Sequence, residues 1–394
     1  MTTTLKAFTV FAKLIDEFDT PEELFDFLKS PAGGSLDVLI PEKDAQVPLA
    51  LIHYVKGKSD MTLPHVDYFR SVIWNLRTHR PVCVAPVRSR KFSDLIDNRP
   101  EWTIVEDFVD GIMINMFWDG QKWRVATRTR IDAGGKFYGT RPFSQLFWDT
   151  LASSRIDPET HFDKSFCYSF VLQHPDERIV VAPAYGIPKL FLVEATKITS
   201  EGDISPIILS RDGSTWIHSA VRPLMLERHT LLTLEDIKDR VAAWGRRYGP
   251  QWQGLVIKTD GKRWKIRSDQ YMEARALRGN QPNRTYLWLE RWAGKQFDQY
   301  VKLYPEEKTD AEAVVARFKA CTQELYDLYQ KVYRAREFPL GQAPQKYRKL
   351  LWDAHQANKG AYFRDLREFM NAQDTARKVW LVNYETRYGP AGSA

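Results

Sequence analysis

Apolar and polar residues alternate most clearly between Asp107 and Ile131, in DFVDGIMINMFWDGQKWRVATRTRI. Met113, Ile114, Met116 and Phe117 precede Asp119-Gly120, after which Trp123, Val125 and Thr127 alternate with Arg124, Arg128 and Arg130. An Asp-Gly pair between two such runs predicts a β-hairpin, because a tight turn matched to the strand twist needs residues that tolerate positive φ. Residues 68–92 repeat the pattern. Phe69, Val72, Ile73 and Trp74 form one apolar run, Val82 to Ala85 the next, and the basic segment Arg88-Ser89-Arg90-Lys91 follows. Further strands are expected in 164–181 around the turn His174–Glu177, in 189–196, and in 252–257 and 263–266 around Thr259-Asp260-Gly261. Helical spacing appears in 142–153 and again in 233–248, with Ile237, Val241 and Trp244 inward. Strands in pairs with helices inserted between them predict an antiparallel α+β domain, not a doubly wound parallel sheet.

Both ends of the chain differ from this middle. Asp19-Thr20-Pro21-Glu22-Glu23 has a cap candidate, a proline in the first turn and acids behind it, which predicts a helix start. Residues 1–60 read as an elaboration packed on the core domain of 61–280. Beyond residue 280 the pattern is helical: Val314, Phe318, Cys321, Leu325, Leu328 and Val332 recur at spacings of three, four and seven. Pro339–Pro344 interrupts it, and helices are expected again in 345–359 and 362–372. Residues 281–394 therefore read as an all-α domain.

Composition narrows the classes. A chain of 394 residues is long for one core, and 43% hydrophobic with 27% charged residues is ordinary for a globular protein. No apolar run is long enough to cross a membrane, and the first 20 residues lack a secretory leader, so a cytoplasmic protein with no membrane partner is expected. Cys83, Cys167 and Cys321 are far apart in apolar surroundings and read as buried free thiols. The histidines show no ligand spacing, so no metal site is expected. The net charge of +7 is uneven: from Gln281 onward 19 Lys+Arg face 14 Asp+Glu. That end of the chain is the more suited to a polyanionic partner.

Phe108-Val109-Asp110-Gly111, at the head of the hairpin, resembles the Lys-x-Asp-Gly motif of the covalent nucleotidyltransferases: RNA ligases, DNA ligases and capping enzymes. Four further segments resemble that family's motifs in the family's order. Thr127–Arg130 falls where a basic residue contacts the nucleotide. Phe170–Val180 is similar to the Phe-Glu-(apolar) strand with its Asn-Arg-Ile-Val continuation. Gln253–Lys258 is similar to Glu-Gly-(apolar)-Val-(apolar)-Lys, and Trp264–Arg267 to the last motif, whose lysine meets the α-phosphate. The resemblance covers about half the chain. It implies an antiparallel α+β nucleotidyltransferase domain, ATP-grasp-like, followed by the all-α C-terminal domain of the phage-type RNA ligases. Ser169–Pro175 is also similar to ligase-like proteins of large DNA viruses.

The departures fall on the chemistry. The resemblance puts Phe108 where the family's lysine attacks the α-phosphate, and Val171 and Gln253 where its metal-binding or proton-accepting glutamates stand. Phenylalanine has no amine with which to form a phosphoramidate, and losing two carboxylates removes hard ligands for magnesium. The expectation is a catalytically inactive, ligase-like protein with no catalytic residue, the degenerate positions being Phe108, Val171 and Gln253. Nucleotide or phosphate candidates are Asp110, Gly111, Arg128, Lys258 and Lys265; nucleic-acid candidates are Arg88, Arg90, Lys91, Lys346, Arg348 and Lys349. Arg128 and Arg130 are also readable as the solvent side of a strand, Lys258 and Lys265 as hairpin ends, and Phe108 as a plug in a former pocket. No cofactor is expected, ATP being the one the resemblance leaves open. RNA or DNA is the expected partner, with a protein partner or a structural role in a virion as the competing reading. The alternative is an active ATP-dependent RNA ligase with a non-standard nucleophile, Lys91 and Lys122 being the nearest lysines.

Overall fold

The computed structural model describes residues 10–41, 45–95, 103–199, 201–207, 209, 218–230, 233–259 and 261–388. The chain divides into two compact units, Met1–Arg275 and Ala276–Ala394.

The first unit is built on three sheets. One is four-stranded and formed in order by β1 (Asp37–Leu39), β2 (Leu49–His53), β3 (Val72–Asn75) and β4 (Arg80–Val84). A second four-stranded sheet contains β5 (Ser89–Lys91) and β6 (Ile104–Asp107) at its edges. A five-stranded sheet contains β7 (Ile112–Trp118), β8 (Trp123–Ala126), β9 (Phe166–Gln173), β10 (Lys189–Ile198) and β11 (Ile204–Ile207), in the order β11-β10-β9-β7-β8. The second four-stranded sheet is completed by β12 (Gly254–Thr259) and β13 (Lys262–Arg267), in the order β5-β13-β12-β6. All pairings between these strands are antiparallel except β5 with β13. This is the antiparallel α+β class that the alternation predicts.

Each sheet buries the apolar half of its alternation. The helix Phe143–Ser153 lays Leu146, Phe147 and Leu151 on Ile114, Met116, Phe170 and Leu172 of the five-stranded sheet. Phe117 and Cys167 on the opposite face of that sheet meet Leu51, Ile73 and Cys83 of the first. The helices Val10–Glu17 and Pro21–Lys29 pack Phe11, Leu24 and Phe25 against Ile52, Val72 and Trp74. Thr20 caps the second of these helices through Glu23 N, as the sequence pattern anticipates. All three cysteines are buried and free.

Two boundaries differ from expectation. The apolar run from Phe69 becomes a strand only at Val72, because Pro64–Tyr68 forms a 3-10 turn and sends Phe69 into the core below. The strand expected from Trp252 begins at Gly254, since Trp252 turns to bond Asp107 through its indole. Asp260, of the expected turn, lies outside the described residues.

The second unit is helical: Arg284–Ala293, Phe297–Leu303, Lys308–Tyr329, Gln345–Ala357, Phe363–Ala372 and Thr375–Val382 enclose one core containing Leu287, Phe318, Leu325, Leu351 and Leu366. Within that core Glu307 accepts from Arg278 Nη1 (2.8 Å), Trp288 Nε1 (2.9 Å) and Tyr300 Oη (2.6 Å). Among the described residues no helix is long and apolar enough to cross a membrane.

Candidate anion-binding cleft

Strand register in the sheet β5-β13-β12-β6 sorts its side chains by chemistry. Val256 stands opposite Glu106 and Lys265, Lys258 opposite Arg263, and Gly254 opposite Arg267. Directly opposed residues of an antiparallel pair share a face, so Glu106, Lys258, Arg263, Lys265 and Arg267 project together. The intervening Val105, Leu255, Ile257, Trp264 and Ile266 pack on Ile237 and Val241 of the helix Leu234–Tyr248.

Against the charged face lies a cleft of about 220 Å³. Its lining includes Arg70, Phe108, Asp110, Val171, Gln253, Arg263, Arg267, Tyr271 and Arg275. Arg263 is 5% exposed, yet among the described residues its Nε and Nη1 have no hydrogen-bond partner; the Nε of Arg267 and the Oε1 of buried Gln253 are also without one there. The guanidinium of Arg267 lies 4.8 Å from the centre of the Phe108 ring, within cation–π range. Burial, joined at Arg70 and Lys265 by neighbouring positive charge, lowers the proton affinity of these groups. Burial and the neighbouring charges of Arg263 and Arg128 bring Arg70 down to about 10. Burial lowers Arg263 as well, and Glu194 and Glu106 oppose it. Lys265 falls to about 8, through burial and the charges of Arg267, Arg70, Arg263 and Lys56.

Phe108 also borders a second, more apolar cleft of about 490 Å³, lined by Phe191, Trp252, Ile187, Lys189 and Gln251 among others, with Tyr185 at its rim. The segment carrying Phe108 is held by main chain at both ends. Phe108 N donates to Gly254 O at 2.8 Å. Gly111 (φ 147°) and Gly254 (φ 145°) lie so close to the Leu172 and Ile266 carbonyls, respectively, that a Cβ on either would collide. At these two positions glycine is required both by conformation and by space.

The acids nearby are engaged by the protein, except for the Oδ2 of Asp107. Asp110 Oδ2 accepts from the amides of Val180 and Val181 (both 2.9 Å), and its Oδ1 from Tyr271 Oη (2.7 Å). Burial, with the Asp110 charge beside it, pushes the Tyr271 hydroxyl well up, so it remains a donor. Asp107 accepts from Trp252 Nε1 (3.1 Å) and its Oδ1 lies 3.0 Å from His229 Nε2. Glu106 pairs with Lys258 at 2.8 Å, and Glu194 lies 3.8 Å from the same ammonium. Among the described residues no group of three or more His, Cys, Asp or Glu is arranged to hold a metal ion.

The expected site residues therefore converge only in part. Asp110 and Gly111 line the arginine cleft, and Lys265 lies in the field of its arginines. Lys258 turns aside into a neighbouring cavity of about 40 Å³, bonding Val193 O and Glu106, because two acids outcompete the cleft for it. Arg128 is exposed, stacked 4.6 Å over the Tyr54 ring and donating to Tyr54 O. Arg88 and Arg90 share the carboxylate of Asp67, each at 2.7 Å, which removes part of their charge; Lys91 is exposed and aligned with Lys265. In the helical unit Lys346 is buried, 3.8 Å from Glu385 and 4.0 Å from Glu324, and so departs from the exposed role expected of it. Arg348 and Lys349 are exposed; the first donates to Ala343 O and the second pairs with Asp353 at 3.2 Å. Trp288 and Trp292 pack inward, against Glu307 and Phe318. Sequence reasoning missed Arg70, Arg263, Arg267, Arg275 and Tyr271. The alternation in Lys262–Arg267 held the signal for two of them, since Arg263 and Arg267 flank Lys265 at a spacing of two.

The strain at Lys265 gives a measurable consequence. Its folded value of about 8 lies below the ordinary 10.5. The unfolded chain therefore binds the proton more tightly, the penalty is full below pH 8, and stability rises between about pH 8 and 10.5. Lys265→Met is expected to raise stability at pH 7 by about 1 kcal/mol after allowance for solvent screening, and to flatten that rise. Urea midpoints from pH 7 to 10 would show it; an unchanged profile would remove Lys265 from the electrostatics of the cleft.

No family model matches the chain. It is 28% identical over 103 residues to an RNA ligase of Rhodothermus phage RM378, a match covering 24% of this chain and 23% of that protein. The chain thus spans less than a quarter of the length of the curated relative it matches. Among solved structures, an archaeal ATP-dependent RNA ligase aligns over 96% of this chain and 99% of its own at 12% identity, with a TM-score of 0.42. A putative ATP-dependent DNA ligase from Aquifex aeolicus aligns over 78% and 81% at 15% identity, with a TM-score of 0.37.

Proposed function

We propose that this chain is an RNA-ligase-like nucleotidyltransferase module that binds phosphate groups of a nucleotide or nucleic acid and forms no covalent nucleotide adduct. The observation that carries the reading is Phe108. Where the resemblance places an attacking amine there is an aromatic ring under the Arg267 guanidinium, beside arginine donors without a protein partner among the described residues. The positive charge for holding phosphates is present and the nucleophile is not. Exposed Lys91, Arg348 and Lys349 are the remaining basic candidates for a nucleic-acid strand. A protein or assembly partner is the outcome if no strand binds.

One arrangement favours an active enzyme instead. Lys265 projects from the same sheet face as Arg263 and Arg267, and burial with the neighbouring positive charges lowers its ammonium to about 8, which favours a neutral amine. In that reading its Nζ would attack the α-phosphorus of ATP, a P–N bond would form, the P–O bond to pyrophosphate would break, and the amine proton would pass to solvent.

Incubation with α-labelled ATP or GTP followed by a denaturing gel separates the two. The expected result is no label on the native protein, and none on Phe108→Lys, because Val171 and Gln253 still stand where the family's acids would be. Label on the native protein that disappears in Lys265→Arg would establish the active reading. The same preparation titrated with single-stranded RNA and DNA is expected to bind more weakly as salt rises, because bound phosphates release counterions.

A further inference from the structure

We infer that the arginine cleft binds a condensed phosphate chain, of the kind a nucleoside triphosphate carries, without a divalent cation, its guanidinium groups supplying the charge that magnesium supplies in active ligases. The inference rests on the phosphate-binding reading above and specifies how that binding is achieved.

A magnesium ion bridging phosphates needs carboxylate or other oxygen ligands left open toward the ligand. The residues here do not fit that need. Val171 and Gln253 carry no charge, and Asp110 spends its oxygens on Val180, Val181 and Tyr271. Asp107 lines the cleft but commits its Oδ1 to Trp252 and His229, which leaves a single carboxylate oxygen, its Oδ2, open to a cation, while Glu106 is tied to Lys258. An ion placed in the cleft would instead meet Arg70, Arg263, Arg267 and Arg275. Repulsion from those charges would exclude a dication.

The same arrangement suits a polyanion. Guanidinium stays protonated, is weakly hydrated, and presents donors in a planar fork that matches phosphate oxygens. Buried donors without partners are costly and uncommon in a folded protein. Arg263 keeps two such N–H groups and Arg267 one. A phosphate chain in the cleft would satisfy these donors and offset the positive charges that, after burial, lower Arg70 and Lys265. The cleft volume of about 220 Å³ admits a phosphate chain, with the apolar second cleft across Phe108 left to the remainder of a larger ligand.

The test is calorimetric titration of the full chain with sodium tripolyphosphate at matched ionic strength, once with EDTA and once with excess magnesium chloride. Binding in EDTA is expected to be as tight as in magnesium or tighter, since the metal neutralises the anion in solution. Arg267→Gln is expected to weaken it by roughly tenfold or more, the loss of a charge-assisted hydrogen bond, and Arg263→Gln likewise; Lys302→Gln, exposed in the helical unit, should leave it unchanged. Because Arg263 is buried and its variant is prone to misfold, the half-exposed Arg267 decides, with circular dichroism confirming the fold. Binding that requires magnesium, binding indifferent to Arg267→Gln, or none in either buffer overturns the inference. A protein that becomes covalently labelled by ATP yet binds tripolyphosphate in EDTA would defeat the reading above and leave this inference standing. An unlabelled protein that needs magnesium would do the reverse.

Discussion

Asp110→Ala is expected to destabilise the first unit by about 3–5 kcal/mol, among the largest effects of any single substitution in it. The carboxylate closes three hydrogen bonds, to two successive main-chain amides and to a buried tyrosine hydroxyl. Removing it leaves all three donors without an acceptor, at about 1–3 kcal/mol each where water does not reach. Val180 N is buried and Tyr271 is 2% exposed, so little solvent compensation is available. Asp110→Asn keeps one acceptor oxygen and should lose about half as much. Urea unfolding of both variants would measure the series. A near-native midpoint for the alanine variant would mean that the carboxylate is free for a ligand, and would restore the phosphate-site role that the resemblance implies for it.

In the helical unit the corresponding position is Glu307. Burial pushes its carboxyl up, but the Arg278 charge and the hydrogen bonds from Tyr300, Trp288 and Arg278 outweigh that and hold it below the ordinary glutamate value. Glu307→Ala removes the carboxylate that faces the buried Arg278 guanidinium and strands the donors of Trp288 and Tyr300, a loss of about 3–5 kcal/mol. Glu307→Gln should come close to this, because it restores hydrogen bonds and not the charge. The depressed value also sets a pH dependence. The contribution of Glu307 is fully present above the unfolded value near 4.5 and is lost as pH falls through the lower folded value. Circular dichroism at 222 nm against urea, at pH 7 and pH 3, would show a large difference between native and variant at the first and a smaller one at the second. Equal differences at both would separate Glu307 from the acid response.

What the sequence made legible was periodic. The Asp119-Gly120 hairpin, the strand pairs and the helical C-terminal region all follow from spacings of two or of three and four, and these appear in the structure. The arginine cleft was legible only on one strand, where Arg263, Lys265 and Arg267 alternate. Arg70 lies far away in sequence, in an apolar run that gives no hint of a polar destination, and only the stacking of strands brings it to Arg263. Lys346 shows the opposite failure. It stands four residues before Leu350 and eight before Ala354, on the buried face of its helix, so its burial was readable from spacing and was hidden by attention to charge. Lys258 was misdirected by something no local pattern holds, the arrival of Glu194 from another sheet.

The clamping of residues 108–111 by main chain has a consequence for how such a protein changes over time. Gly111 and Gly254 fix the path of this segment through backbone contacts, and the side chain at 108 contributes none of them. Whatever residue occupies that position, the loop keeps its course and the surrounding strands keep their register. A substitution at 108 could therefore change the chemistry presented to the two clefts while leaving the folded protein intact. Under the function proposed above, an amine placed at 108 would arrive beside Arg267, among positive charges, with the Oδ2 of Asp107 as the open carboxylate oxygen in the cleft lining.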